Sequence, residues 1–109
     1  MWECAACGYI WEGEEPSGRC PKCNARKERF AKLDDEAMEL IERSRYTNSL
    51  YFHLYGLLEQ VLDLAEEGMD DKLDPQCVRL FTKAADQAEV LIQSMKSELK
   101  NHMKKGKWG

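Results

Sequence analysis

The chain has 109 residues, of which 33% are charged, and a formal net charge of −4. This length suits one domain or a small module with an appendage, and the mild net acidity argues against nucleic acid as the main partner. There is no Gly-rich phosphate loop and no run of roughly eighteen apolar residues, so we expect neither nucleotide binding at such a loop nor a membrane span.

Two pairs of cysteines lie near the start of the chain. Cys4 and Cys7 are separated by two residues, and so are Cys20 and Cys23. One tight turn can aim both sulfurs of such a pair at a single point, and two turns together give four sulfur ligands in a tetrahedron, which suits iron or zinc. The sequence therefore predicts a metal site on these four thiols.

The residues after each pair predict the shape of the two turns. Gly8 follows Cys7 and Asn24 follows Cys23, and both residue types tolerate a left-handed backbone conformation. Amide N–H groups in such turns can point at the sulfurs and stabilise thiolate charge. Residues 8–19 are long enough for a hairpin that returns the chain to the first pair.

Two disulfide bonds are the alternative interpretation of four cysteines. Disulfides would imply export, but the chain opens without an apolar signal segment and the fifth cysteine, Cys77, spoils the even count. In a reducing compartment the paired spacing is typical of metal binding. We therefore expect free thiols and a cytoplasmic protein.

Four segments of the first third of the chain carry a family resemblance. Residues 2–10, 12–16, 20–23 and 25–30 resemble the rubredoxin domain of rubrerythrins, and its place ahead of the remaining chain resembles that of reverse rubrerythrins. Rubredoxins hold one iron on four cysteinates and pass single electrons. The resemblance thus implies iron on the four cysteines, an electron carrier rather than an enzyme, and a redox protein as partner. It also implies an aromatic cluster beside the metal, formed by Trp2, Tyr9, Trp11 and Phe30.

A structural zinc ribbon remains the second interpretation. Zinc has no redox chemistry, so the same four thiols would then only stabilise the fold. About thirty residues bury too little apolar surface to fold unaided, and we expect either ion to be part of folding. The sequence around the cysteines favours iron.

The remainder of the chain predicts two helices. Asp34 is a candidate N-cap for a helix over about residues 35–67, with Gly68 as its end. Asp74 and Pro75 open a second helix over about residues 75–105. We therefore divide the chain into a metal-binding module at residues 1–32 and an antiparallel helical hairpin at residues 33–109. Residues 44–49 are a candidate break in the first helix, because helix propensity is weak there.

Apolar residues recur on both helices at steps of three and four. The first helix shows Tyr51, Leu54, Leu58, Val61 and Ala65, and the second shows Val78, Phe81, Ala85, Ala88, Ile92, Met95 and Leu99. Such stripes predict helices that pack along a common seam. Counting outward from the predicted loop sets Tyr51 near Leu91, Val61 near Phe81, and Gly56 near the alanines around position 85.

The apolar surface of the first helix is wider than one seam. Leu50, Leu57 and Leu64 extend it beyond what one partner helix can cover. We therefore expect a homodimer in which two hairpins form a four-helix bundle. Residues 1–33, 34–75 and 76–109 carry net charges of +1, −9 and +4, which also favours the two helices lying side by side.

The other metal-ligating residue types form no comparable pattern. A di-iron site of the rubrerythrin type needs Glu-x-x-His pairs, but Leu50 stands three residues before His53 and Leu99 three before His102. We therefore expect no di-iron site and no peroxidase activity. Both histidines are interpreted as structural or solvated, and Cys77 as a buried helical thiol.

Overall fold

The computed structural model describes residues 1–109 and consists of three short strands followed by two long helices. Strand β1 (Trp2–Cys4) lies between β2 (Ile10–Trp11) and β3 (Phe30–Lys32), and both pairings are antiparallel. A single 3₁₀ turn (Lys27–Arg29) leads into β3. The helices are α1 (Asp35–Asp71) and α2 (Pro75–Lys104). Neither contains an apolar stretch of the length that crossing a bilayer requires.

Contacts within the chain divide it into two compact units. One unit consists of Met1–Tyr46 together with Lys105–Gly109, and the other of Thr47–Lys104. The first unit contains the sheet and the start of α1. The second unit contains the rest of α1 and all of α2.

The core of the first unit is small and is built around two cysteines. Cys4 is paired with Phe30 across β1 and β3, and these two residues are buried together with Cys20. Trp2, Cys7, Trp11 and Ala25 pack around them. The Trp11 and Phe30 rings meet edge to face at 6.3 Å between centroids. Three members of the expected aromatic cluster are thus present, whereas Tyr9 is 36% exposed and lies outside it.

The last residues of the chain contact the start of α1 and the second strand. The Arg45 Nε–H donates to the Gly109 carbonyl at 2.8 Å, and the Arg45 guanidinium also forms an ion pair with Glu12. A Cβ atom added to Gly109 would lie 2.9 Å from side-chain atoms of both Ile10 and Ile41, so no larger residue fits there unchanged. The sequence pattern gave no indication of this contact.

Both helices begin at the residues that the sequence predicts. The Asp34 carboxylate accepts the Ala37 N–H at 2.8 Å, and the Asp74 carboxylate accepts the Cys77 N–H at 2.8 Å. Each carboxylate thereby satisfies one of the N–H groups that the first turn of a helix leaves unpaired.

The end of α1 lies four residues beyond the predicted one. The helix passes through Gly68 and stops at Asp71, and Lys72 adopts the left-handed conformation at φ 51°. Gly68 lies within the helix, and its lack of a side chain leaves room for the Phe81 ring, onto which an added Cβ would fall. The helix also continues through residues 44–49, where the Ser44 hydroxyl donates to the Ile41 carbonyl at 2.9 Å.

Four contacts show that α1 and α2 run antiparallel in the second unit. They join Asn48 to His102, Tyr51 to His102, Tyr55 to Lys96, and Gly68 to Phe81. As the residue number rises along α1, the number of its partner on α2 falls by a similar amount. The predicted pairing is therefore wrong by about two helical turns, and the later end of α1, which moves the middle of the loop by two residues, accounts for about one of them. Nothing would lie within 4 Å of a Cβ at Gly56, so that glycine marks no close approach.

The inward stripe of α1 keeps three of the five predicted residues, and the other two are replaced by the residues that directly follow them. On α2, the predicted Ala85, Ala88, Ile92 and Met95 are buried, and His102 joins them. On α1, the inward residues are Tyr51, Tyr55, Leu58, Leu62 and Ala65. Leu54 and Val61, which the apolar pattern places in the stripe, are 46% and 42% exposed.

Candidate metal centre

The four sulfurs predicted to meet do so in the first unit. The Sγ atoms of Cys4, Cys7, Cys20 and Cys23 all lie within 4.8 Å of one another. Cys4 and Cys23 are 3.7 Å apart at their Sγ atoms, and so are Cys7 and Cys20. All four are free cysteines, since a disulfide would require a separation of about 2 Å.

This spacing fits a metal ion at the centre of the cluster. A metal–sulfur bond of about 2.3 Å places the corners of a sulfur tetrahedron about 3.8 Å apart. The two separations of 3.7 Å match that edge, and each joins one cysteine from the first pair to one from the second. The donor set of four thiols at this spacing suits iron and zinc alike.

The two turns that present the sulfurs have the same hydrogen bonds. The Gly8 N–H donates to the Cys4 carbonyl at 2.8 Å, and the Asn24 N–H donates to the Cys20 carbonyl at 2.9 Å. Gly8 and Asn24 both have positive φ, at 78° and 61°, as their residue types predict. The Cys4 and Cys20 N–H groups donate at 2.9 Å to Tyr9 and Ala25 carbonyls respectively. Two half-sites of equal geometry therefore meet at the cluster.

Amide groups in these turns act on two of the thiols. The Tyr9 N–H lowers the pKa of Cys7, but burial and hydrogen bonds with the other three thiols outweigh it and raise that pKa to about 12. Burial raises the pKa of Cys20, but the Cys23 and Lys22 N–H groups and neighbouring thiols prevail and lower it to about 7. The same amides would stabilise thiolate ligands once a cation occupied the cluster.

The sequence pattern predicts neither of two polar contacts around the site. The Ala5 N–H donates to the Arg29 carbonyl at 2.9 Å, which ties the first turn to the 3₁₀ helix. The Arg19 guanidinium donates to the Asn24 carbonyl at 3.0 Å and braces the second turn. Both acceptors are backbone carbonyls, which any residue type supplies, so the sequence does not identify them. The sequence does show a cation, Arg19, directly before Cys20.

The other candidate residues lie away from this cluster. His53 is exposed on α1, while His102 is buried in the seam of the second unit with its Nδ1 2.7 Å from Asn48 Oδ1. Cys77 is half-buried rather than buried, since it lies in the first turn of α2 and its thiol donates to Asp74 at 3.5 Å. That bond to a carboxylate raises the pKa of Cys77.

Comparison with known proteins agrees with the geometry of the first unit. Residues 2–31 match the family model described as "Rubrerythrin, rubredoxin-like domain". Residues 2–31 are a rubredoxin-like domain of the rubrerythrin type. Such a domain binds a metal ion at its four cysteines, and the sulfurs of this chain have the arrangement that binding requires.

One curated relative supports the same assignment over a short stretch. Reverse rubrerythrin-1 of Clostridium acetobutylicum is 43% identical over 35 residues, which cover 32% of this chain and 19% of that protein. The chain thus matches about a fifth of the relative's length. No solved structure matches the chain significantly. The family model covers residues 2–31, and the likeness to the relative covers about a third of the chain.

Proposed function

We propose that the rubredoxin-like domain holds one iron ion on Cys4, Cys7, Cys20 and Cys23 and acts as a carrier of single electrons. The observation that supports this most directly is the convergence of the four sulfurs at tetrahedral spacing within a domain that matches the rubredoxin type. Iron in such a site supplies a reversible one-electron change between its ferrous and ferric states.

The ligand set favours electron transfer over catalysis. Four thiolates complete a tetrahedral shell and leave no open position for a substrate or water, unlike the sites of metalloenzymes. The backbone hydrogen bonds of the two turns hold the sulfurs in the same positions in both charge states of the metal ion. We therefore propose a carrier without a reaction of its own, which exchanges electrons with a redox protein.

One side of the cluster is accessible to such a partner. Cys4 and Cys20 are 1% and 3% exposed, whereas Cys7 is half-buried and Cys23 is exposed. An electron can thus enter or leave through a sulfur at the surface, while the buried pair anchors the site to the core. Because thiol ligands must stay reduced, we place the protein in the cytoplasm.

A structural zinc ribbon is the second candidate, because the composition of the core gives the bound ion a structural role. Of the three buried core residues in the rubredoxin-like domain, two are cysteines of the cluster. Ion binding therefore stabilises the fold whichever metal is bound. With zinc, the domain would hold its shape without exchanging electrons.

Metal analysis of protein expressed at low level in iron-replete medium separates the two candidates. We expect one iron per chain, a red colour from charge transfer between sulfur and ferric iron, and bleaching by dithionite with recovery in air. Low expression matters because overproduction can load zinc into an iron site. A colourless protein with one zinc per chain would contradict the electron-carrier proposal and support the structural one.

Two cysteine variants control this experiment. Cys23→Ser should lose the colour and bind less metal, because its side chain supplies one corner of the tetrahedron. Cys77→Ser should keep both, because Cys77 lies in the other unit and contacts Asp74. Equal metal content in the two variants would contradict the assignment of the ligands.

A further inference from the structure

The helical unit has a second apolar stripe that nothing in the chain covers. We call it the outer seam, and it consists of Leu50, Leu54, Leu57, Val61 and Leu64. These side chains are between 42% and 64% exposed, and none of the five is charged. Their spacing of four, three, four and three residues is the spacing by which one helix packs against another.

The outer seam continues onto α2. Its members on α1 directly precede inward residues, as Leu50 precedes Tyr51 and Leu54 precedes Tyr55. On α2, Leu91 directly precedes the buried Ile92 and is 51% exposed. Two antiparallel helices are related by a two-fold axis perpendicular to the plane that contains both helices. Residues that directly precede inward residues therefore lie on the same side of that plane in both helices. Leu91 therefore lies on the same side of the hairpin as the outer seam, and so does Leu80, which precedes Phe81 and is 68% exposed.

The size of this face matches what a partner protein needs. Residues 47–71 of α1 extend about 37 Å and each helix is about 10 Å wide, so one side of the hairpin covers on the order of 700 Å². A stable interface takes about 800 Å² from each partner, with an apolar centre and a polar rim. The outer seam provides that centre, since it occupies the middle of α1 and polar residues follow towards both helix ends.

We propose that this face binds a second copy of the chain, with the outer seam of α1 lying antiparallel against that of the other copy. A two-fold interface is self-complementary, because a residue that contacts another across it is contacted by the same residue in return. The outer seam meets this condition, since its residues are evenly distributed about Leu57. Leu57 meets its equivalent at the axis, Leu54 meets Val61 of the second copy, and Leu50 meets Leu64 of the second copy.

The resulting assembly is a four-helix bundle made of two hairpins. Each α1 then has α2 of its own chain on one side and α1 of the second copy on the other, which accounts for both of its apolar stripes. Leu80 and Leu91 lie beside the new seam and are shielded by it. The proposal is independent of the metal, because it rests on residues of the helical unit alone.

Mass measurement of the full metal-loaded protein tests this arrangement. By sedimentation or light scattering at micromolar concentration, we expect twice the 12.6 kDa of a single chain. Leu57→Glu places two carboxylates at the axis and should weaken the dimer by roughly tenfold or more. Met103→Glu is the matched control, because Met103 is 54% exposed but follows the buried His102 and so lies on the opposite side of α2.

A charge-swap pair tests the antiparallel pairing. Leu50→Glu and Leu64→Lys should each weaken the dimer, whereas the double variant should recover it, because each glutamate then faces a lysine of the second copy. Within one helix the two sites are about 21 Å apart and do not interact. Circular dichroism should show unchanged helix content in all variants, and a dilution series of the unmodified protein measures the dimer without any substitution.

Several outcomes would overturn the proposal. A mass of one chain at micromolar concentration would do so, as would a dimer that Leu57→Glu does not weaken. A double charge-swap variant no tighter than the single variants would exclude the antiparallel contact of the two α1 helices. Binding of the monomer to lipid vesicles with phosphatidylglycerol would assign the face to a membrane surface instead.

Discussion

Asn48 Oδ1 and His102 Nδ1 lie 2.7 Å apart in the buried seam between α1 and α2. Because an amide oxygen only accepts, Nδ1 carries the proton in this bond. The opposite ring nitrogen, Nε2, is 3.4 Å from the Glu98 carboxylate, and the ring meets Tyr51 edge to face. Burying a polar pair costs little free energy when both side chains have hydrogen-bond partners. A different register of α1 against α2 would separate Asn48 from His102 and leave both without that bond.

We expect Asn48→Ala to destabilise the protein. The substitution leaves the buried Nδ1–H without its acceptor, which costs about 1–3 kcal/mol of unfolding free energy. Urea denaturation followed by circular dichroism measures the change. Replacing both Asn48 and His102 by leucine removes the unsatisfied group, so this double variant should be more stable than Asn48→Ala. His53→Ala should stay within about 0.5 kcal/mol of the unmodified protein, because His53 is exposed.

The two glycines of α1 give opposite expectations for the same substitution. A Cβ at Gly68 would fall on the Phe81 ring, whereas nothing lies within 4 Å of a Cβ at Gly56. Gly56→Ala should stabilise the protein by about 0.5–1 kcal/mol, because alanine favours the helix. Gly68→Ala should destabilise it by about 1–3 kcal/mol, because the packed ring must move.

Thermal denaturation of the two alanine variants tests this contrast. Replacing the Phe81 ring by a smaller side chain, in the double variant Gly68→Ala with Phe81→Leu, should restore part of the stability that Gly68→Ala loses. Equal stabilisation by both alanines would mean that α1 and α2 do not approach each other at Gly68.

The sequence predicted the metal site more completely than the helical hairpin, and the reason is the range of the interactions. The positive φ of Gly8 and Asn24 and the backbone hydrogen bond that closes each cysteine turn follow from residues within one short turn. The caps at Asp34 and Asp74 are equally local. Each of these features is decided by neighbours in sequence, so the pattern alone was sufficient.

The register of the hairpin depends on distant residues and was therefore missed. Leu54 and Tyr55 are both apolar and adjacent, and the helix period alone does not decide which of them faces α2. The structure turns Tyr55 inward, where Lys96 lies 5.6 Å from its ring, and leaves Leu54 46% exposed. Gly68 was interpreted as a helix end because its contact with Phe81 is invisible in the sequence. The sequence shows that the apolar surface of α1 is wide, but it does not show which half of that surface α2 covers.

Removal of the metal should unfold the rubredoxin-like domain and leave the helices largely intact. The domain's buried core contains Cys4, Cys20 and Phe30, which is too little apolar surface to offset the entropy of ordering the chain. Chelation under reducing conditions should therefore change the fluorescence of Trp2 and Trp11, which pack on this core. Circular dichroism should retain most of its helical signal, since α1 and α2 carry it.

The same treatment applied to Cys77→Ser should give the same result, because that thiol is not part of the cluster. Restoring ferrous iron or zinc should return the tryptophan signal. Unchanged tryptophan fluorescence after complete metal removal would show that the domain folds without an ion.

The cap at Asp74 should make the stability of the helical unit depend on acid pH. The Cys77 N–H and thiol both donate to this carboxylate, with a smaller contribution from the Gln76 N–H, and they hold its pKa below the ordinary value of 3.8. A carboxyl with a lowered folded-state pKa stabilises the fold above its unfolded pKa, and the contribution is lost as pH falls through the folded one.

Thermal midpoints of unmodified protein and Asp74→Asn should therefore differ at neutral pH and converge below pH 3.8. Asparagine is the matched control, because it caps a helix without titrating. Asp74→Ala should be less stable than both at neutral pH, and a constant difference between the aspartate and asparagine forms across the acid range would contradict the role of the ionised cap.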